Sequence, residues 1–178
     1  EESLNEAKTL GEEISSEGIV LLKNEENILP LDKSKKVAII GDFAFSPRYQ
    51  GAGSSMVNAT IVENAQRLIK KLDLNIIGMA HGYSRADKED ESLVNEAIEL
   101  VKQADIVLYF FGLNEASESE GLDRTHLRIP NNQITLLEKL SKVNENIVGI
   151  ISAGSCIEMP WEKNLKGILH GYLFGQAG

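Results

Sequence analysis

The chain has 178 residues, of which 42% are hydrophobic and 25% are charged, a composition that is typical of a folded globular domain with its own core. Its formal net charge is −9 and no run of lysine or arginine is longer than two residues, which excludes the clustered basic surface that a nucleic-acid partner requires. Its single cysteine, Cys156, excludes an internal disulfide, and its three histidines lie too far apart in the sequence to suggest a metal site.

No apolar run approaches the ~20 residues that a membrane span needs, and the chain opens with an acidic, helix-like segment rather than with a signal peptide. We therefore expect no membrane partner, and a cytoplasmic location is favoured without being fixed. Because the first residue is not Met and residues 171–178 stop on turn residues after a strand, we expect a piece of a longer protein.

Residues 1–34 are predicted to form an N-terminal helix and a linker arm. Residues 2–16 place apolar side chains at helical spacing on one face, and Gly18 ends that pattern. Residues 18–31 follow as two short apolar runs around a polar centre, which predicts a hairpin or a packed arm. Pro30 makes the second run an edge strand or a strand end.

Residues 35–178 carry a repeated strand-and-helix pattern, which predicts a single α/β domain. Short runs that are apolar on both faces are typical of parallel strands covered on both sides. The predicted strands are residues 35–42, 74–82, 104–112, 146–154 and 166–175. The predicted helices, each with an apolar stripe, are residues 61–72, 91–104 and 132–143. The alternation predicts a three-layer sandwich in which a mostly parallel, mixed sheet lies between helices.

In such sheets the functional side chains gather at the carboxyl ends of the strands. Three loops leave these ends, and we name them the first loop (residues 42–58), the acid loop (residues 113–130) and the last loop (residues 153–161). The first loop and the acid loop are much longer than the ~2–6 residues that are usual in this fold class. Their length predicts a functional site or a contact with another domain.

Three other functions fit these loops poorly. Gly51 and Gly53 suggest a dinucleotide fingerprint, but they lie too far from the first strand, and Met56 occupies the position of the third small residue. Asp42 is a single acid where a phosphorylated receiver domain needs a pair. Cys156 has no histidine near it in the sequence that would serve as its base.

The acid loop concentrates carboxylates in a short stretch. A carboxylic acid that protonates a leaving group needs a raised pKa, which burial or a neighbouring carboxylate provides. The acids are Glu115, Glu118, Glu120 and Asp123. Arg124 can hold one of them ionised while another carries a proton, and Gly121 lets the chain turn or a substrate approach. A solvated acidic loop is the competing interpretation of the same pattern.

Five ordered segments resemble one known family over nearly the whole chain. They are SEGIVLLKNEENILPL (16–31), VAIIGDFAFSPRYQGAGSSMVN (37–58), ADIVLYFFGLNEASESEGLDRTHLRIPNNQ (104–133), GSCIEMPW (154–161) and ILHGYLFGQAG (168–178). In this order they resemble the C-terminal α/β-sandwich domain of glycoside hydrolase family 3, the β-glucosidase family. The stretch from Glu118 to Arg124 carries the most specific part of the resemblance.

The resemblance implies a domain of a two-part enzyme. In this family a TIM-like barrel carries an Asp nucleophile, and the α/β sandwich supplies the acid/base glutamate from a loop that reaches over the barrel mouth. By motif, that glutamate corresponds to Glu120, directly before Gly121. The resemblance also implies retaining hydrolysis of terminal, non-reducing β-linked sugars, without a metal or organic cofactor.

The barrel is absent from this chain, so we expect its partner to be a barrel in the same parent chain and its substrate to be a β-linked oligosaccharide or glycoside. We expect no hydrolysis by the isolated chain. Substrate-binding or loop-supporting roles are predicted for Glu118, Asp123, Arg124, Arg48 and Gln50, and Trp161 is either a sugar platform or a packing residue. The alternative function is that of a non-catalytic carbohydrate-binding or scaffolding α/β domain.

Overall fold

The computed structural model of the chain describes residues 2–175 and contains a six-stranded sheet in the order β1-β6-β5-β4-β2-β3. The strands are β1 (Val20–Asn24), β2 (Lys36–Ile40), β3 (Asn75–Ala80), β4 (Ile106–Gly112), β5 (Ile147–Ser152) and β6 (Gly167–His170). Strands β2 to β6 run parallel to one another, and β1 pairs antiparallel with β6. The predicted α/β fold with a mostly parallel, mixed sheet is therefore confirmed.

The helices are α1 (Glu2–Gly18), α2 (Ala65–Leu68), α3 (Glu91–Val101) and α4 (Asn131–Ser141). Helix α3 is capped by Asp90, whose carboxylate accepts hydrogen bonds from the backbone N–H groups of Ser92 and Leu93 and so satisfies two of the free donors of the first turn. Helix α2 is much shorter than the helix predicted over residues 61–72, because both ends of that apolar pattern, Ile61 and Leu72, lie exposed rather than against a core.

The core lies on both faces of the sheet. On one face, Tyr109 and Phe111 of β4 are fully buried among side chains that include Ala97 of α3 and Leu136 of α4. On the other face, Val37, Ile106 and Val148 are covered by partly buried residues of the chain between β1 and β2, which are Ile28, Leu29 and Leu31. Each buried side chain of this size contributes about 1.5–3 kcal/mol to folding.

The N-terminal segment joins the sheet as a packed arm and not as a hairpin. Strand β1 pairs with β6, whereas residues 28–31 form no strand and lie against the sheet face. Strand β1, which lies in the predicted arm, is thus part of the same sheet as the strands of residues 35–175. A domain boundary after residue 34 stays a prediction. Residues 176–178, the end of the last family-like segment, lie outside the described residues.

The strand order reverses at β2, since the chain passes from β2 to β3 on one side and then to β4 on the other. A crevice at such a reversal, outside the carboxyl ends of the strands, is where open α/β sheets bind ligands. Gly41 directly follows β2 and Gly112 ends β4, with φ angles of 123° and 145°. A Cβ atom on either would lie 2.0 Å from the carbonyl oxygen of the adjacent strand, so both positions require glycine. The first loop and the acid loop leave the sheet at this crevice.

Candidate functional site

The first loop and the acid loop meet beyond the crevice. Ala52 and Ser119 form an isolated parallel β-bridge, and the backbone N–H of Glu120 donates to the carbonyl oxygen of Ala52 over 3.4 Å. The contact depends on Gly53, whose φ is 95° and where a Cβ would lie 2.9 Å from the Cβ of Glu120. The bridge therefore brings Glu120 against a glycine-containing turn that lies 67 residues earlier in the chain.

Glu120 presents its carboxylate to solvent. One carboxylate oxygen, Oε2, accepts hydrogen bonds from the backbone N–H of Ser54, over 3.0 Å, and from the Ser54 hydroxyl. Both bonds lower the pKa of Glu120 below its ordinary value because they stabilise the charged form, and the Ser54 hydroxyl contributes more than the Ser54 backbone N–H. In this structure Glu120 is therefore poised as a carboxylate, the form that accepts a proton.

Glu118, two residues earlier, is mostly buried, and its side chain is 10% exposed. Its Oε2 accepts from Nη2 of Arg48 over 3.3 Å and from the backbone N–H of Gly154 over 3.0 Å. Its Oε1 accepts from the hydroxyl of Ser155 over 2.7 Å. Glu118 thus ties the acid loop to both the first loop and the last loop.

Arg48 is 2% exposed, so its side chain is buried within this chain. Its Nη1 donates to the carbonyl oxygen of Gln50, and its Nε lies 4.0 Å from Oε1 of Glu115, a charge contact rather than a hydrogen bond. The Gln50 amide is used within its own loop, since it accepts from the N–H of Val57 and donates to the carbonyl oxygen of the same residue. Both residues support the first loop.

A charged network that the sequence pattern did not reveal extends across the crevice. Arg85, which follows β3, donates through Nε to Asp42 over 2.6 Å and through Nη1 to Glu115. His81 contacts the other oxygen of Asp42 through Nδ1 over 3.0 Å. Together with Arg48, these contacts link the loops that follow β2, β3 and β4. The available signal was topological, because polar residues directly after neighbouring parallel strands meet at one edge of the sheet.

Arg124 and Asp123 behave differently from each other. Nη1 of Arg124 donates to the Ser155 hydroxyl over 2.8 Å and to the Cys156 carbonyl oxygen over 2.9 Å, which fastens the end of the acidic stretch to the last loop. Asp123 is exposed, and within residues 2–175 its carboxylate has no hydrogen bond or ion pair.

Trp161 is 2% exposed and packs edge-on against Phe111, so it is a core residue and not a sugar platform.

An open cavity of about 580 Å³ lies between the acid loop and the last loop. Its lining includes Glu118, Glu120, Leu122, Arg124 and Cys156. Among the described residues, no group of three or more His, Cys, Asp or Glu side chains is placed to hold a metal ion. No helix in the described part of the chain is both long and apolar enough to cross a membrane.

The chain is an α/β sandwich whose long acid loop exposes carboxylates, Glu120 among them, at the crevice where the strand order reverses. The particular family follows from a match of residues 19–178 to the model of the glycosyl hydrolase family 3 C-terminal domain. The chain belongs to this family, which confirms the resemblance found in the sequence.

Characterised relatives are glycoside hydrolases. The chain is 43% identical over 171 residues to thermostable beta-glucosidase B of Acetivibrio thermocellus, an alignment that covers 94% of this chain and 23% of the relative. It is 44% identical over 178 residues to an exo-alpha-(1->6)-L-arabinopyranosidase of Bifidobacterium breve, covering 91% of this chain and 23% of the relative.

A solved structure, the GH3 beta-glucosidase of Bifidobacterium adolescentis, superposes with a TM-score of 0.89 at 41% identity and covers 96% of this chain and 25% of that protein. The chain thus spans about a quarter of the length of these relatives. It is a C-terminal domain of glycosyl hydrolase family 3.

Proposed function

We propose that this chain supplies the general acid/base group, Glu120, to a retaining β-glycosidase whose nucleophile is an Asp on an N-terminal TIM-like barrel of the same parent chain. The observation that carries this proposal is the placement of Glu120. It is an exposed carboxylate beside an open cavity, on a loop that a β-bridge fixes at the reversal of the strand order. The family and the characterised relatives support the same assignment.

Retaining hydrolysis needs two carboxyl groups about 5–5.5 Å apart. In the first step the Asp carboxylate attacks the anomeric carbon, the bond to the leaving oxygen breaks, and the Glu120 proton passes to that oxygen. In the second step Glu120, now a carboxylate, takes a proton from water while the water oxygen attacks the anomeric carbon and the Asp leaves. Each turnover returns the proton to Glu120 and the Asp to its charged form.

The Ser54 hydrogen bonds fit the second of these steps, because they lower the pKa of Glu120 and so favour the carboxylate. The first step requires the protonated acid, which a nearby negative charge favours. The Asp of the barrel would supply that charge at close range, and the intermediate, in which this Asp is esterified, would remove it. The pKa of Glu120 would then rise for the first step and fall for the second.

The isolated chain holds one carboxylate of the pair, so we expect it not to hydrolyse an aryl β-glucoside. Turnover by the isolated chain that disappears in Glu120→Gln would contradict this expectation. The substrate class of the parent chain is a terminal β-linked glycoside, in keeping with the names of its β-glucosidase relatives.

The acid/base role is tested in the full-length parent chain with a series of aryl glycosides of different leaving-group pKa. Loss of general acid catalysis costs about 10²–10⁴-fold in rate. We expect Glu120→Gln to slow poor leaving groups by this amount and good leaving groups far less, because only poor leaving groups need the proton. Glu158→Gln is the matched control, since Glu158 is an exposed carboxylate of the last loop.

Azide gives a second measurement. In Glu120→Ala, azide should attack the covalent intermediate without needing a general base, which would restore turnover of an activated substrate and release a β-glycosyl azide. Equal losses for all leaving groups, together with no response to azide, would instead favour a non-catalytic domain.

A further inference from the structure

Glu118 lies only two residues before Glu120 but is held in a different environment. Its side chain is 10% exposed, whereas Glu120 is exposed. Three donors surround the Glu118 carboxylate, and they are Nη2 of Arg48, the N–H of Gly154 and the hydroxyl of Ser155. A carboxylate that is mostly removed from water is costly unless such donors satisfy it, so these three donors suit an acceptor-only group.

The same serine also holds the other end of the stretch. The Ser155 hydroxyl lies 2.7 Å from Oε1 of Glu118 and 2.8 Å from Nη1 of Arg124. Residues 119–123 therefore form a short span that is fastened to the last loop at both ends, and Glu120 lies within this span. Gly121, the residue after Glu120, has a φ of 79° and open space where a Cβ would be, so the span has little support of its own there.

We propose that Glu118 is a positioning residue for catalysis: by fastening the acid loop to the first and last loops, it sets the position from which Glu120 reaches the glycosidic oxygen. This inference rests on the proposed function of Glu120. Displacement of a catalytic group by about 1 Å can cost on the order of 100-fold in rate, so a tether two residues away is well placed to control the reaction.

The charge and the acceptor geometry of Glu118 are both needed. In Glu118→Gln, one carboxylate oxygen becomes an NH₂ group that faces donors, namely a guanidinium, an N–H or a hydroxyl. The tether weakens while the size of the side chain is kept. Glu118→Asp keeps the charge but shortens the side chain, so it should recover part of the lost rate.

The test uses the full-length parent chain and the same series of aryl glycosides. We expect Glu118→Gln to lower kcat by about 10- to 100-fold for poor leaving groups and by much less for good ones, with a small change in KM. Azide should not accelerate Glu118→Gln as it does Glu120→Ala, because the general base is still present. Glu158→Gln should match the unaltered enzyme throughout.

If Glu118→Gln does not fold, Ser155→Ala serves instead, since it removes one donor from Glu118 and one acceptor from Arg124 without changing any charge. It should show the same dependence on the leaving group with a smaller amplitude. Equal losses for all leaving groups, or no loss, in the variant that folds would overturn the positioning role. A series in which Glu120→Gln shows no dependence on the leaving group would reject the proposed function itself, so the two failures are distinguishable.

Discussion

The two ends of the sheet carry cavities of similar volume but differ in how deeply their charged side chains are buried. At the amino ends of the strands, an open cavity of about 520 Å³ is lined by residues that include Glu26, Asp105 and Lys166. At the carboxyl ends, the cavity beside Glu120 has a similar volume of about 580 Å³. Cavity size alone would not show which end carries a function.

The charged groups do distinguish the two ends. Lys166, at the amino end, pairs over 2.7 Å with Glu26, whose side chain is 74% exposed, and such pairs contribute little to stability. Arg48, at the carboxyl end, is 2% exposed and contacts two carboxylates of the acid loop. Burying such a network costs free energy, so its presence at the carboxyl ends indicates that a functional site lies there. The following predictions compare matched changes at the two ends.

The largest effect is expected for Gly112→Ala at the carboxyl end of β4. The new Cβ would lie 2.0 Å from the carbonyl oxygen of Ser152, at a φ of 145°. Overpacking together with backbone strain should lower the free energy of unfolding by about 4 kcal/mol. Gly167→Ala at the amino end of β6 is the matched control, where the closest atoms are side-chain carbons at 3.2 Å and the cost should be about 1 kcal/mol. Urea denaturation measures both, and equal losses would contradict the comparison.

The next effect is expected for Arg48→Met, which keeps much of the apolar stem but removes the charge. It leaves the buried carboxylate of Glu118 without its cationic partner, which should cost about 3 kcal/mol of unfolding free energy. Lys166→Met removes a cation whose two partners, Glu26 and Glu145, are exposed, and should change the same quantity by less than about 1 kcal/mol. A larger loss of unfolding free energy for Lys166→Met than for Arg48→Met would contradict the difference in buried charge between the two ends of the sheet.

The smallest effect is expected for Ser54→Ala, which removes the hydroxyl donor from Glu120. The pKa of the Glu120 carboxyl should rise toward its ordinary value, as followed by NMR of the side-chain carboxyl carbon during an acid titration. A depressed pKa stabilises the fold above the ordinary pKa of the group, and this stability is lost as the pH falls through the lower value; Ser54→Ala should reduce that loss. Ser55→Ala is the control and should leave the pKa unchanged. A pKa that does not move in Ser54→Ala would show that the hydroxyl does not hold Glu120.

Strand positions were predictable because each strand is a continuous apolar run bounded by polar or turn residues. The strand predicted over residues 166–175 was too long. Residues 171–175 continue the apolar pattern, but the chain turns there, with Tyr172 at a φ of 56°. The helix over residues 61–72 shrank because no core lies against Ile61 or Leu72. Periodicity records which side chains are apolar and does not record what lies opposite them.

The acid loop was predictable from its composition and its place after a buried strand, and the family resemblance singled out Glu120. The partner of Glu120 was not predictable, because Ser54 is one of several serines in a flexible-looking stretch and only the meeting of two loops makes it a neighbour. The sequence left Arg48 with a substrate-binding or a loop-supporting role, and it did not indicate the contact with Glu118, which lies 70 residues further along the chain. Such contacts depend on strand order, which local sequence does not contain.

The β-bridge between Ala52 and Ser119 has a kinetic consequence. It joins segments that lie 67 residues apart, and closing a loop of this length costs conformational entropy, so we expect the bridge to close only once β2 and β4 are in place. Its hydrogen bond from the Glu120 N–H is long, at 3.4 Å, and the donor residue Glu120 is exposed. Amide hydrogen exchange at Glu120 should therefore be faster than in β4, reporting the opening of two loops while the sheet beneath them stays folded.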